Sequence, residues 1–142
     1  MAARVIREGV PVGDQVGLRG RTILIIEDSP LVAANLEEIL LELGCEVVGP
    51  AGTMADALQL SEQGDFDAAM VDLNIRGSKA FSLLRILAQR NTPFILVTGY
   101  ADWSMPEEWS QAPRMPKPFS KEMVERSLLS LFHEQSPRRE GG

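Results

Sequence analysis

Cysteine and histidine each occur once in the 142 residues, as Cys45 and His133. A lone thiol excludes an internal disulfide framework and any cysteine-based zinc site. A lone imidazole all but excludes a Ser-His-Asp machine and leaves no histidine-rich metal centre. Long apolar runs are missing as well. Stretches such as Thr22–Ile26 are far too short to span a bilayer. The first residues carry Arg4, Arg7 and Glu8 and lack the apolar core of a secretory signal. The expectation is therefore a cytoplasmic protein with no membrane partner. Basic excess is absent too: 14 Lys and Arg stand against 20 Asp and Glu, for a net charge of −6. An acidic chain is poorly placed to neutralise phosphates, so no nucleic-acid partner is expected. What remains for chemistry is carboxylates, hydroxyls and lysines, and the hard metal ion that such groups can hold.

Length and 44% apolar content support one domain with one sizeable core. Residues 1–20 contain Gly9, Pro11, Gly13, Gly17 and Gly20 without a clear period. They read as an N-terminal arm, with Val10, Val12 and Val16 as docking residues. Residues 21–134 read as the folded part, and 135–142 as a flexible tail. Within the folded part, short apolar runs alternate with amphipathic stretches. Arg21–Glu27 is continuous and β-branched, as a strand buried on both faces should be. Ser29-Pro30 looks like an N-cap with proline at the first helical position, and Gly44 can end the helix that follows. Further strands are expected at Cys45–Gly49, Phe66–Asp72, Thr92–Thr98 and near Ala112–Met115. Helices are expected after Thr53, from Ser78, and after Ser120. Pro106, Pro113 and Pro116 leave room for only a short or irregular fourth helix. Strand-helix alternation repeated five times predicts an α/β fold: a doubly wound, five-stranded parallel sheet covered on both faces.

Such sheets bind ligands outside the carboxyl ends of their strands. The first apolar strand ends in Glu27-Asp28, the third in Asp72 and the fourth in Thr98, and Lys117 follows the fifth. Any one of these could be an ordinary strand-end residue facing water. Together they would crowd three carboxylates into one crevice, where mutual repulsion calls for a cation. Oxygen donors without His or Cys suit Mg²⁺. One lysine supplies a point charge for phosphate, and Thr98 a hydroxyl donor. Phosphoryl transfer to an aspartate requires that set.

Glu27-Asp28, Val71-Asp72, Val97-Thr98-Gly99 and Lys117-Pro118-Phe119 resemble the acidic pair, phospho-acceptor, hydroxyl switch and Lys-Pro motif of response regulator receiver domains, the CheY-like fold. The resemblance covers residues 21–134. It implies a flavodoxin-like (βα)5 domain in which Asp72 accepts the phosphoryl group. It implies that Glu27, Asp28, Asp72 and the backbone carbonyl of Asn74 hold Mg²⁺, and that Thr98 and Lys117 contact phosphate oxygens, with Gly99 leaving Thr98 room to move. Two features depart from the pattern. Leu73-Asn74-Ile75-Arg76-Gly77 replaces the usual Met-Pro after the acceptor, and Arg114 stands where an aromatic is usual. Phe94-Ile-Leu-Val-Thr98-Gly99-Tyr100 partly resembles the subgroup named for a Phe-Ala-Thr-Gly-Tyr motif, which makes Tyr100 a second switch residue beside Thr98. That likeness implies a sensor histidine kinase of the HWE or a related type, or a histidine phosphotransfer protein, as donor.

Nothing after Phe119 is long enough for an output domain, so the expected output is contact with a downstream protein or competition for phosphoryl groups. The expected state is a monomer. The chain is not expected to be an enzyme beyond catalysing its own aspartyl phosphorylation and dephosphorylation. Two alternatives stand beside this reading. One is a pseudo-receiver that binds partners without phosphoryl turnover. The other is a small hydrolase with an aspartyl intermediate, which would want a second acid-base residue where Asn74 stands. Cys45 reads as a buried residue and His133 as structural or solvated.

Overall fold

The computed structural model describes residues 17–99 and 105–141, with side chains as far as Glu134. Val10, Val12, Val16, Tyr100 and Trp103 lie outside the described residues. Five strands form one sheet: β1 (Thr22–Ile26), β2 (Glu46–Ala51), β3 (Ala68–Asp72), β6 (Phe94–Thr98) and β7 (Arg114–Pro116). Their order is β2-β1-β3-β6-β7 and every pairing is parallel. Between them run α1 (Pro30–Glu42), α2 (Met54–Gln63) and α3 (Phe81–Gln89), with α4 (Lys121–Gly141) closing the chain. This is the doubly wound arrangement expected from the alternation.

Between their polar ends the central strands are wholly apolar, because each is covered on both sides. Ile23 and Ile25 of β1 face a cluster with Leu36 and Leu40 of α1 and Val124 and Leu128 of α4. Leu24 and Ile26 face the other way, onto Ala57 of α2 and Leu83, Leu84 and Leu87 of α3. Alternate residues of one strand thus feed two separate cores. At roughly 2 kcal/mol for each fully buried aliphatic side chain, these two clusters are the main stabilising resource of the fold.

The caps largely follow the sequence. Ser29 Oγ accepts from Val32 N–H at 3.3 Å, with Pro30 opening the helix. Thr53 Oγ1 accepts from Asp56 N–H at 3.1 Å, and Ser120 Oγ from Met123 N–H at 3.2 Å. One expected start is corrected. Ser78 does not open a helix, because Asn74–Ile75 (β4) and Ser78–Lys79 (β5) pair as a small antiparallel hairpin. Arg76 and Gly77 make its turn, with φ of 52° and 87°. The helix is delayed to Phe81, and its N-cap Ala80 makes no side-chain capping bond.

The chain is ordered into the core before residue 21. Leu18 is buried, and Gly20 N–H donates to the Gly44 carbonyl at 2.7 Å. At the other end the helical backbone continues to Gly141, past the expected limit at 134. Where a fourth helix was expected, the described residues hold one 3-10 turn, Glu107–Trp109. Trp109 packs edge-on against Phe94, with ring centres 5.8 Å apart.

Candidate functional site

The carboxyl ends of β1, β3, β6 and β7 meet at one edge of the sheet, and each delivers its polar residue there. Glu27 and Asp28 follow directly on β1, Asp72 closes β3, Thr98 closes β6, and Lys117 follows β7. Register explains the convergence: Ile26 lies beside Val71, Asp72 beside Val97, and Thr98 beside Pro116. Carboxylate oxygens of Glu27, Asp28 and Asp72 lie within 4.8 Å of one another. Glu27 and Asp72 are buried, at 3% and 4% exposure, and Thr98 is buried beside them.

Lys117 answers this negative charge. Its Nζ stands 3.1 Å from Glu27 Oε1 and 3.2 Å from Asp72 Oδ2. The lysine is anchored through its backbone, since Lys117 N–H donates to the Thr98 carbonyl at 2.9 Å. Backbone donors hold the acids in turn. Ser29 N–H reaches Glu27 Oε2 at 3.2 Å and Asn74 N–H reaches Asp72 Oδ1 at 3.1 Å. Arg76 N–H reaches Asp28 Oδ2 at 2.8 Å.

Three acids against one ammonium do not balance. Burial, with the Glu27 carboxylate beside it, pushes the Asp72 carboxyl up to about 7, against the pull of the Asn74 N–H and of Lys117. Burial also works to raise Asp28, but the Arg76 N–H and the Asp72 side chain outweigh it and hold Asp28 low. For Lys117, burial would favour the neutral amine. Asp72 and Glu27 overcome that and raise its pKa, so it stays charged.

This donor set fits a hard divalent cation. It is all oxygen, it carries more negative charge than Lys117 cancels, and the side-chain oxygen of Asn74 is buried without a hydrogen-bond partner. Glu27, Asp28 and Asp72 would hold the ion.

The structure brings together Glu27, Asp28, Asp72 and Lys117, and sets Thr98 and Asn74 at the same edge. Among the described residues, a Cβ added at Gly99 would meet nothing within 4 Å beyond its chain neighbours. Tyr100 lies outside the described residues. Arg114 is part-buried, and its guanidinium donates to the Ser110 carbonyl at 3.2 Å. Sequence reasoning missed Arg76, which acts through its backbone. The Arg-Gly pair that forms a left-handed turn was its only signal. Cys45 is buried, as expected, with its thiol pushed up to about 11 mainly by burial. Among the described residues, no helix is long and apolar enough to cross a membrane.

Comparison with known proteins agrees with the geometry. Residues 23–131 match the response regulator receiver domain. The transcriptional regulatory protein PdtaR of Mycobacterium tuberculosis is 31% identical over 114 residues, covering 78% of this chain and 56% of that protein. The phyllosphere-induced regulator PhyR of Methylorubrum extorquens is 33% identical over 122 residues, covering 82% of this chain and 46% of that protein. The chain thus spans about half the length of these curated relatives. The solution structure of SdrG from Sphingomonas melonis superposes with a TM-score of 0.71 at 39% identity, covering 80% of this chain and 96% of that one. With the doubly wound sheet and its acidic carboxyl-end cluster in place, the chain belongs to the family of response regulator receiver domains of two-component signalling.

Proposed function

We propose that the chain is a phosphorylatable receiver that takes a phosphoryl group onto Asp72 with Mg²⁺. The observation that carries this reading is the closure of Glu27, Asp28, Asp72 and Lys117 into one cluster, with Nζ 3.2 Å from the acceptor carboxylate. The donor is the phosphohistidine of a sensor histidine kinase or histidine phosphotransfer protein. One Asp72 oxygen attacks phosphorus, the P–N bond breaks, and the imidazole nitrogen keeps the electron pair. Bound Mg²⁺ supplies charge neutralisation for the transferred oxygens.

The chain's own residues do the rest. The Asn74 N–H orients the acceptor carboxylate through Oδ1. Lys117, already charged and held at its backbone by the Thr98 carbonyl, sits where its ammonium can balance a phosphoryl oxygen. The Thr98 hydroxyl donates to another oxygen, and Gly99, whose Cβ position is free among the described residues, follows it directly. A shift of Thr98 toward that oxygen biases the surface formed by Thr98, β7 and Lys117, which makes a two-state face for a downstream protein partner.

The test is incubation with acetyl phosphate and Mg²⁺, followed by intact mass and peptide mapping. A phosphoryl adduct on the peptide containing Asp72, absent in Asp72→Asn and absent with chelator, is expected. No adduct in the wild type, with partner binding equal in wild type and Asp72→Ala, would instead favour an interaction module without turnover.

A further inference from the structure

The hairpin that follows Asp72 turns on a residue outside the recognised motifs. Asn74 pairs with Lys79 and Ile75 with Ser78, leaving Arg76 and Gly77 as a two-residue turn. Both are left-handed, at φ 52° and 87°. Consecutive positive φ values match the primed turns whose twist suits a tight hairpin. Glycine adopts this region freely, whereas a long side chain does so only where its surroundings hold it there. Arg76 is so held, by hydrogen bonds to two other loops. Its backbone N–H points at Asp28 and reaches Oδ2 at 2.8 Å. Its side chain crosses to a third loop, where Nε donates to the Gly52 carbonyl at 3.2 Å. Gly52 follows β2 and Asp28 follows β1, so one residue ties three loops at the carboxyl edge of the sheet.

We propose that Arg76 is a positioning residue for the cation: its backbone N–H holds one oxygen of Asp28 so that the other is presented to Mg²⁺, and its guanidinium fixes the hairpin against Gly52 so that this N–H stays in place. The inference rests on reading the acidic cluster as a Mg²⁺ site. Lys117 already braces Glu27 and Asp72. Asp28 is the more exposed of the three acids, and a carboxylate near water must lose torsional freedom when an ion binds. Outer contacts that pre-order a ligand remove that cost.

The test is Mg²⁺ titration of the full chain by calorimetry, for wild type, Arg76→Gly and Arg76→Pro, with thermal melts alongside. Glycine keeps the N–H and the left-handed backbone but loses the guanidinium tether. Proline loses the N–H and cannot reach positive φ. Kd for Mg²⁺ should rise about tenfold in Arg76→Pro, at the low end of the range seen when ligand-orienting contacts are removed, and less, about threefold, in Arg76→Gly, which keeps the N–H. A merely structural role would lower Tm and leave Kd unchanged in the folded fraction. Should Arg76→Pro fail to fold, NMR of the wild type and Asp28→Ala decides. The Arg76 amide proton should lie downfield through its bond to a carboxylate and move upfield in Asp28→Ala. Equal Kd values for wild type and a folded Arg76→Pro, or an Arg76 amide indifferent to Asp28→Ala, would overturn the proposal while the metal site stands. If the wild type takes up no Mg²⁺, the metal reading falls and this inference falls with it.

Discussion

Replacing Asp72 with Asn should stabilise the metal-free protein, and the gain should grow with pH. The acceptor carboxyl sits at about 7 in the fold against an ordinary 3.8. The folded state therefore binds the extra proton across that window, and stability falls as pH rises from about 4 to about 7, levelling off above. At pH 5 the unfolded carboxyl is largely ionised while the folded one keeps its proton; by pH 8 both are ionised. Each unit of pKa is worth about 1.4 kcal/mol. The wild type should then lose about 3 kcal/mol between pH 5 and pH 8 that the Asp72→Asn variant does not. In a domain of this size that gap is on the order of 10 °C in Tm. Thermal melts in chelator at the two pH values measure it. Mg²⁺ at pH 8 should raise the wild-type Tm and move the variant much less. Asp72→Asn less stable than wild type at pH 8 in chelator, or a gap that does not change with pH, would refute the reasoning.

Removing the ammonium should have the opposite sign. Lys117→Met strands Glu27 and Asp72 without their shared cation, so stability at pH 8 in chelator should drop by about 2 kcal/mol, with a smaller loss at pH 5; urea melts check both. Two glycines should separate backbone strain from crowding. Gly77→Ala meets open space and should cost about 1 kcal/mol from its positive φ alone, whereas a Cβ at Gly49 would sit 2.8 Å from the Ile25 carbonyl oxygen and should cost several times more by the same melts. Leu84→Ala, which empties a fully buried position under the sheet, should cost about 3 kcal/mol with phosphoryl uptake retained.

Much of this architecture is legible in the sequence, because the core strands are apolar on both faces and each stops abruptly at a polar residue. That pattern alone carries Glu27, Asp28, Asp72, Thr98 and Lys117 to one edge of the sheet. The local caps at Ser29, Thr53 and Ser120 are legible for a similar reason: a short hydroxyl side chain precedes a helical period. The start of α3 is not. Ser78 has the chemistry of a cap, but the left-handed pair Arg76-Gly77 spends it in a hairpin, and Ala80 begins the helix with no side-chain cap. Glycines around Leu18 make it read as part of the arm, yet its side chain completes the core beside Leu40 and Cys45. Arg76 was invisible as a site residue because its contribution to Asp28 is a backbone N–H, and every residue but proline has one.

The most direct test of the central claim is a two-dimensional NMR comparison of the protein with Mg²⁺ alone and with Mg²⁺ plus beryllofluoride, which occupies the place of a phosphoryl group on an aspartate. The account predicts that the largest amide shifts fall at Asp72, Thr98, Gly99 and Lys117, and that they vanish in Asp72→Asn. An unchanged spectrum, or shifts confined to the opposite end of the sheet near Arg21 and Phe132, would contradict it.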